Sequence, residues 1–149
     1  MAYDLLDSGG KRWRPVLGMM FAECFGRDIE ASIKSGNFAE NEDILYACAL
    51  TEIIHNGSLM ADDLEDKSLM RRGKPCTYIQ YGEDYAVNTS TLMYIAPIIQ
   101  MKKYIKDADK RQAFQDIYQE EMFNIHFGQN WDIHWHNGKK CQQRSNIFK

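Results

Sequence analysis

An all-α fold is predicted from three observations. The 149-residue chain contains only three prolines, Pro15, Pro75 and Pro97. The stretches between them are rich in Leu, Met, Ala and Glu, which favour helix. Apolar residues recur along those stretches at three- and four-residue steps, the period of an amphipathic helix. The composition is that of an ordinary globular protein, 44% hydrophobic and 26% charged, and the length suits a single domain over 1–149.

Residues 1–14 are polar and carry a turn signal in Gly9-Gly10. Pro15 fits the first turn of a helix that runs to about Phe25 on Val16, Leu17, Met20, Phe21 and Cys24, with Gly26 as its stop. Residues 27–40 read as a loop around Gly36-Asn37 with one helical turn at most. From Glu42 to Asp66 there is no Pro and one Gly, Gly57. Ile44, Leu45, Ala47, Cys48, Leu50, Ile53, Ile54, Leu59 and Met60 exceed a thin surface stripe, so a mostly buried helix is expected, about 35–40 Å long. Residues 67–76 form a loop held by Gly73 and Pro75. Helices over 76–81 and 83–104 follow, with a kink or break at Pro97. The last helix covers 107–136, on the stripe Tyr118, Met122, Ile125, Gln129, Asp132 and His136, with Gly138 ending it. The tail, 139–149, has no period.

Several function classes drop out. A net charge of −3 offers no electrostatic footprint for nucleic acid. No apolar run reaches the roughly 20 residues of a membrane span, so no transmembrane segment is expected. The start, MAYDLLDSGGKRWRP, has no apolar stretch behind its charges and reads as no secretory signal. Cys24, Cys48, Cys76 and Cys141 contain no CxxC pair, which points to free thiols in a reducing, cytoplasmic compartment. No nucleophile elbow, P-loop or GxGxxG is present.

The chemistry concentrates in Asp62-Asp63-Leu64-Glu65-Asp66. At about 100° per residue, Asp62 and Asp66 lie about 40° apart on successive turns, so both carboxylates point the same way. Two readings compete: a solvated acidic face, or a magnesium site. The apolar helix leading in and the pair Arg71-Arg72 just beyond favour the second. Magnesium takes carboxylate oxygens and completes its shell with water and substrate phosphate, and arginines grip phosphate in bidentate fashion. His55, seven residues before Asp62, faces the same cavity from two turns deeper. Lys11-Arg12-Trp13-Arg14 precedes a helix start, where backbone N–H groups favour an anion. Gln129 and Asp132 put polar groups on a stripe read as buried, where they need partners. His134 points away from Asp132 and His136, so zinc is not expected there.

The blocks GGKRWRP (9–15), HNGSLMADDLEDKSLMRRGKP (55–75), YG (81–82) and GQNWDI (128–133) resemble the trans-isoprenyl diphosphate synthases, over about residues 9–138. MYI (93–95), with HN at 55–56, DDLED and RRGKPC, is most similar to the eukaryotic-type geranylgeranyl enzymes. The resemblance implies a large antiparallel helical bundle around an apolar cavity, usually dimeric as a homo- or hetero-dimer. It implies that Asp62 and Asp66 ligate Mg2+ on an allylic prenyl diphosphate, with Gln129 and Asp132 lining that end. Arg71 would hold the allylic diphosphate, and Lys11, Arg14, His55 and Arg72 the diphosphate of isopentenyl diphosphate. Asp63 would support the site more than ligate. The implied reaction ionises the allylic diphosphate, joins the cation to the double bond of isopentenyl diphosphate, and loses a proton, giving a farnesyl or geranylgeranyl product.

Product length would be set at a cavity floor by Tyr94, Ile95 and His126. The small residues Gly57 and Ser58 are expected to leave the upper cavity open. The chain reads as the first half of such a synthase, without the second aspartate-rich motif and with a tail that no longer resembles the family. It is therefore expected to need a partner and not to condense substrates by itself. A non-catalytic or regulatory subunit that pairs with a complete synthase is the alternative. A terpene cyclase has no need of a second diphosphate site.

Overall fold

The computed structural model describes residues 4–137, so the expected stop at Gly138 and the tail 139–149 lie outside the described residues. The chain divides into two compact units, Met1–Arg111 and Gln112–Lys149. Among the described residues there are seven helices and one short hairpin: α1 (Asp4–Asp7), α2 (Trp13–Cys24), α3 (Ile29–Ser35), α4 (Glu42–Glu65), β1 (Met70–Arg71), β2 (Lys74–Pro75), α5 (Thr77–Tyr81), α6 (Glu83–Tyr104) and α7 (Ala108–His136). The all-α expectation is met. No helix among the described residues is long and apolar enough to cross a membrane.

In the first unit, α4 is the central element. It packs most extensively along α6, then against α2, and also touches α5 and α1. A small apolar core joins Leu5 of α1, Met60 of α4 and Met93 of α6, with Leu6, Ile53 and Leu59 packed on it. Helix α4 is half-buried rather than buried throughout: Cys48, Leu50, Glu52, Asn56, Gly57, Met60 and Asp63 are covered, whereas Ala49 and Thr51 are exposed. Apolar side chains on the exposed surface are numerous, among them Met20, Phe21 and Phe25 at the end of α2 and Val87, Leu92, Ile95 and Ile99 on α6.

Helix boundaries follow local chemistry. The end of α2 is a Schellman cap: Arg27 donates its N–H to Ala22 O and Gly26 to Glu23 O, with Gly26 left-handed at φ +84°. Helix α3 begins where the Asp28 carboxylate accepts from the Ala31 N–H at 2.9 Å. It is a full seven-residue helix, longer than the single turn expected in 27–40. Helix α2 begins at Trp13, two residues before Pro15, so Trp13 and Arg14 lie inside its first turn.

Pro97 does not break α6, which runs unbroken from Glu83 to Tyr104. A proline removes one helical hydrogen bond, and packing along α4 outweighs that loss. Tyr46 of α4 donates its hydroxyl to the Pro97 carbonyl and stacks on Tyr104, ring centroids 4.6 Å apart.

Gly57 also departs from expectation. It is buried against α6 rather than opening a cavity: a Cβ there would lie 3.0 Å from Met93 Cβ, 3.2 Å from the Ser90 carbonyl oxygen and 3.2 Å from the Tyr94 ring. Its missing side chain lets the two helices approach closely. In the second unit, α7 buries no residue. Gln129 is half-buried and Asp132 exposed, so the stripe through them is not a buried face. A lone helix has no neighbour within its own unit to cover such a stripe, and α7 is the one element described there.

Candidate functional site

Asp62 and Asp66 stand on successive turns at the C-terminal end of α4. The Asp66 N–H donates to the Asp62 carbonyl at 2.8 Å, so helical geometry continues through the capping residue. The Asp62 side chain is 34% exposed, and Asp66 is exposed. Asp63, between them in sequence, is only 1% exposed. Arg71 Nε donates to Asp63 Oδ1 at 2.8 Å and Nη2 donates to the same oxygen, while Nη2 reaches Asp62 Oδ2 at 3.4 Å. The Ser68 N–H meets the Asp63 backbone carbonyl at 2.9 Å. Burial and a hydrogen bond to Asp63 push the Cys76 thiol up to about 11, so it stays protonated. The β1–β2 hairpin, Met70 opposite Pro75 and Arg71 opposite Lys74, is thereby pinned to the end of α4.

Arg71 and Arg72 leave that hairpin in different directions. Arg72 occupies a left-handed backbone conformation, φ +52°. Its Nη1 donates to Asn56 Oδ1 at 3.1 Å and to the Leu5 carbonyl at 2.7 Å. Arg12, also left-handed at φ +50°, donates to Glu52 Oε1 at 2.6 Å and to the Leu6 carbonyl. Glu52 and Asn56 are one turn apart on α4, and Asn56 Nδ2 donates to Glu52 Oε1 at 3.0 Å. Burial raises the Glu52 carboxyl, but hydrogen bonds from Arg12 and Asn56 and the nearby charges outweigh it, leaving the group below its ordinary value. Among the described residues no buried side-chain nitrogen or oxygen lacks a partner.

His55 is half-buried on α4. Burial and the charges of Arg14, Arg72 and Arg71 lower its pKa, against a smaller pull from Glu52, so the imidazole is neutral at neutral pH. The charges of Arg14, Arg71 and Arg72 thus all reach this histidine. Lys11 is exposed just before α2, and Arg14 lies over the Trp13 ring at 4.7 Å.

The structure thus joins Arg71 to Asp62 and Asp63, and Arg72 to Asn56, with His55 on α4 within electrostatic reach of Arg14, Arg71 and Arg72. Gln129, Asp132 and His126 belong to the second unit; His126 Nδ1 lies 2.8 Å from the Met122 carbonyl. Tyr94 lies against Gly57 on α6, and the neighbouring Ile95 is half exposed. Sequence reasoning met Arg12 only inside the basic run 11–14 and Asn56 only inside HN at 55–56, and it passed over Glu52. A signal was available: Glu52 and Asn56 are polar residues four apart on one face of a long, largely apolar helix.

Among the described residues no three His, Cys, Asp or Glu side chains are close enough to hold a metal alone. Asp62, paired with Arg71 at 3.4 Å, and the exposed Asp66 offer hard oxygen donors only, while Asp63 is committed to Arg71. Two carboxylates with room for further oxygen ligands fit magnesium, which takes the rest of its shell from water and phosphate.

A family model described as polyprenyl synthetase matches residues 1–148. The chain is 34% identical over 133 residues to the geranylgeranyl pyrophosphate synthase of Eremothecium gossypii, covering 88% of this chain and 38% of that protein. It is 30% identical over 108 residues to geranylgeranyl pyrophosphate synthase D of Phomopsis amygdali, covering 72% of this chain and 24% of the relative. The variediene synthase of Emericella variicolor is 33% identical over 93 residues, 62% of this chain and 12% of that one. Among solved structures, a geranylgeranyl pyrophosphate synthase superposes with a TM-score of 0.76 at 25% identity, over 98% of this chain and 38% of its own. An isoprenoid synthase family member from Thermotoga neapolitana superposes with a TM-score of 0.70 at 23% identity, covering 97% and 48% respectively, and supports the fold. The chain spans well under half the length of these curated relatives.

Proposed function

The chain belongs to the polyprenyl synthetase family, and we propose that in the full-length protein it supplies the aspartate-rich wall of a prenyltransferase site. The substrates are an allylic prenyl diphosphate and isopentenyl diphosphate, and the product is a farnesyl or geranylgeranyl diphosphate. The observation that carries this reading is the division of labour at the end of α4. Asp63 fixes the Arg71 guanidinium beside a partly exposed Asp62, and the charges of Arg14, Arg71 and Arg72 all act on a neutral His55 two turns back along α4.

Asp62 and Asp66 would hold Mg2+, and the family resemblance gives Asp132 the same role. Magnesium supplies positive charge that stabilises the departing diphosphate. Arg71 is already oriented by Asp63 and holds the allylic diphosphate without having to reorganise. Lys11, Arg14 and Arg72 bind the second diphosphate by charge, and the neutral His55 adds an N–H donor. Gln129 lines the allylic end. No protein nucleophile is needed, and exclusion of water from the apolar cavity protects the cation. The family resemblance gives the setting of product length to Tyr94, Ile95 and His126. The retained Asp62–Arg71 geometry favours an enzyme over a regulatory subunit, which has no need of it.

The test is a condensation assay on the full-length protein with radiolabelled isopentenyl diphosphate, Mg2+ and, in separate reactions, geranyl or farnesyl diphosphate. Wild type is expected to make a longer prenyl diphosphate. Asp62→Ala is expected to lose about a thousandfold in kcat/KM, with helical content unchanged. Near-wild-type turnover by Asp62→Ala would overturn the assignment.

A further inference from the structure

Four buried or half-buried side chains form one chain of hydrogen bonds across α4: Arg12 to Glu52, Asn56 to Glu52, and Arg72 to Asn56. The Asn56 amide has one possible orientation in it. Its Nδ2 faces acceptors, the Glu52 carboxylate and the Glu52 carbonyl at 2.7 Å, and its Oδ1 faces the Arg72 guanidinium. Asn56 is wholly buried and Glu52 nearly so. Both arginines occupy left-handed backbone conformations, which persist in non-glycine residues only where the surroundings over-determine them.

We infer that Glu52 and Asn56 are positioning residues that aim the Arg72 guanidinium at a diphosphate, Glu52 also neutralising Arg12 beside it. Arg72 spends Nη1 on Asn56 and the Leu5 carbonyl. Its Nε and Nη2 donate to no group among the described residues. Those two nitrogens form one edge of the planar fork, the edge that matches two phosphate oxygens. Gly10 leaves the guanidinium uncrowded: a Cβ at position 10 would lie 3.2 Å from both Cζ and Nη2 and 3.5 Å from Nη1. Without Glu52, Arg12 and Arg72 would stand as two like charges with only backbone carbonyls between them. The inference rests on the reading of Arg72 as the ligand of isopentenyl diphosphate.

The experiment uses the full-length protein and the variants Asn56→Ala, Glu52→Ala and Glu52→Gln, the last keeping an oxygen for Arg12 and Asn56. Calorimetry measures binding of isopentenyl diphosphate, and steady-state assays measure KM for both substrates and kcat. Asn56→Ala and Glu52→Ala are expected to weaken isopentenyl diphosphate binding about tenfold. The allylic KM and kcat should stay within about twofold, and Glu52→Gln should recover most of the affinity. Unchanged affinity in Asn56→Ala, or equal losses for both substrates, would overturn the inference. If Glu52→Ala fails to fold, Asn56→Ala and Glu52→Gln decide the matter. A wild type that binds isopentenyl diphosphate but condenses nothing would sink the proposed activity while calorimetry still judges the positioning. A wild type that binds neither isopentenyl diphosphate nor inorganic diphosphate would sink both.

Discussion

Asp62 and Asp63 are one step apart along α4 and about 100° apart around it, and their surroundings differ completely. Asp63 is buried and takes two hydrogen bonds from Arg71, and its backbone carbonyl takes one from Ser68. Asp62 is one-third exposed and meets Arg71 only at 3.4 Å. The same contrast extends down the helix. Glu52 and Asn56 lie on the covered side and hold Arg12 and Arg72, whereas His55 lies on the more open side among three arginines. One face of α4 fixes the basic residues, and the other presents groups to whatever binds between them. A motif of adjacent carboxylates therefore need not be a motif of equivalent ligands.

The largest expected effect comes from removing the covered carboxylate. Asp63→Ala leaves Arg71 without its buried partner and should cost about 3 kcal/mol in urea unfolding. Asp62→Ala should cost less than about 0.5 kcal/mol in the same measurement. Equal losses would erase the distinction between the two aspartates.

Under the proposed function, Arg71 and Arg72 divide the same way between two substrates. Lysine at either position keeps the charge and loses the fork. Arg71→Lys should raise mainly the allylic KM and Arg72→Lys mainly the isopentenyl KM, each about tenfold or 1.4 kcal/mol. Matching changes in both constants for both variants would remove the division.

Gly57 sharpens the contrast at the packed side. Gly57→Val must push Met93 or the Ser90 carbonyl aside and should lower stability by about 2 kcal/mol. Ser58→Ala, next in sequence, removes one hydroxyl that bonds the His55 carbonyl and should cost about 0.5 kcal/mol. Thermal melts of the two variants test this directly.

The smallest effect belongs to His55. Its folded pKa lies below the ordinary 6.5, chiefly through burial and then Arg14. Between 6.5 and that lower value the unfolded chain binds more protons than the folded one. Stability is therefore intact above 6.5 and falls as pH drops through the window. The wild type should lose more melting temperature than His55→Gln between pH 7 and 5. Parallel curves would show that His55 does not feel the arginines.

Much of this was legible in the sequence, for identifiable reasons. The long helices α4, α6 and α7 carry enough turns for periodicity to show, and their ends fall within a residue of the expected ones. Helix α1, four residues long, is too short to display a period, and α3 was read as one turn inside a loop. At Pro97 the expected break does not occur, because a proline removes one hydrogen bond and the packing along α4 remains. The alignment of His55, Asp62 and Asp66 along α4 was readable from helical angles, and the pair Arg71-Arg72 from its place just beyond that helix. Arg12 was not, because its inward turn depends on a left-handed backbone and on a carboxylate 40 residues away. Gly57 pointed the wrong way because a small residue next to a motif fits an open space and a tight contact equally well.

The hydrogen bonds of the site also define an order of assembly. Asp63 and Arg71 are 8 residues apart, Asn56 and Arg72 are 16, Arg12 and Glu52 are 40, and Arg72 and Leu5 are 67. Closing a loop costs about 0.6 kcal/mol more for each doubling of its length. The hairpin pin to Asp63 is therefore the cheapest contact to form from the unfolded chain, and the Leu5 carbonyl the dearest. Folding would order Arg71 first and Arg72 next, with α1 docking last. In the native state the sequence runs backwards: α1 lifts first, and hydrogen exchange should find the Ser68 amide among the last to open.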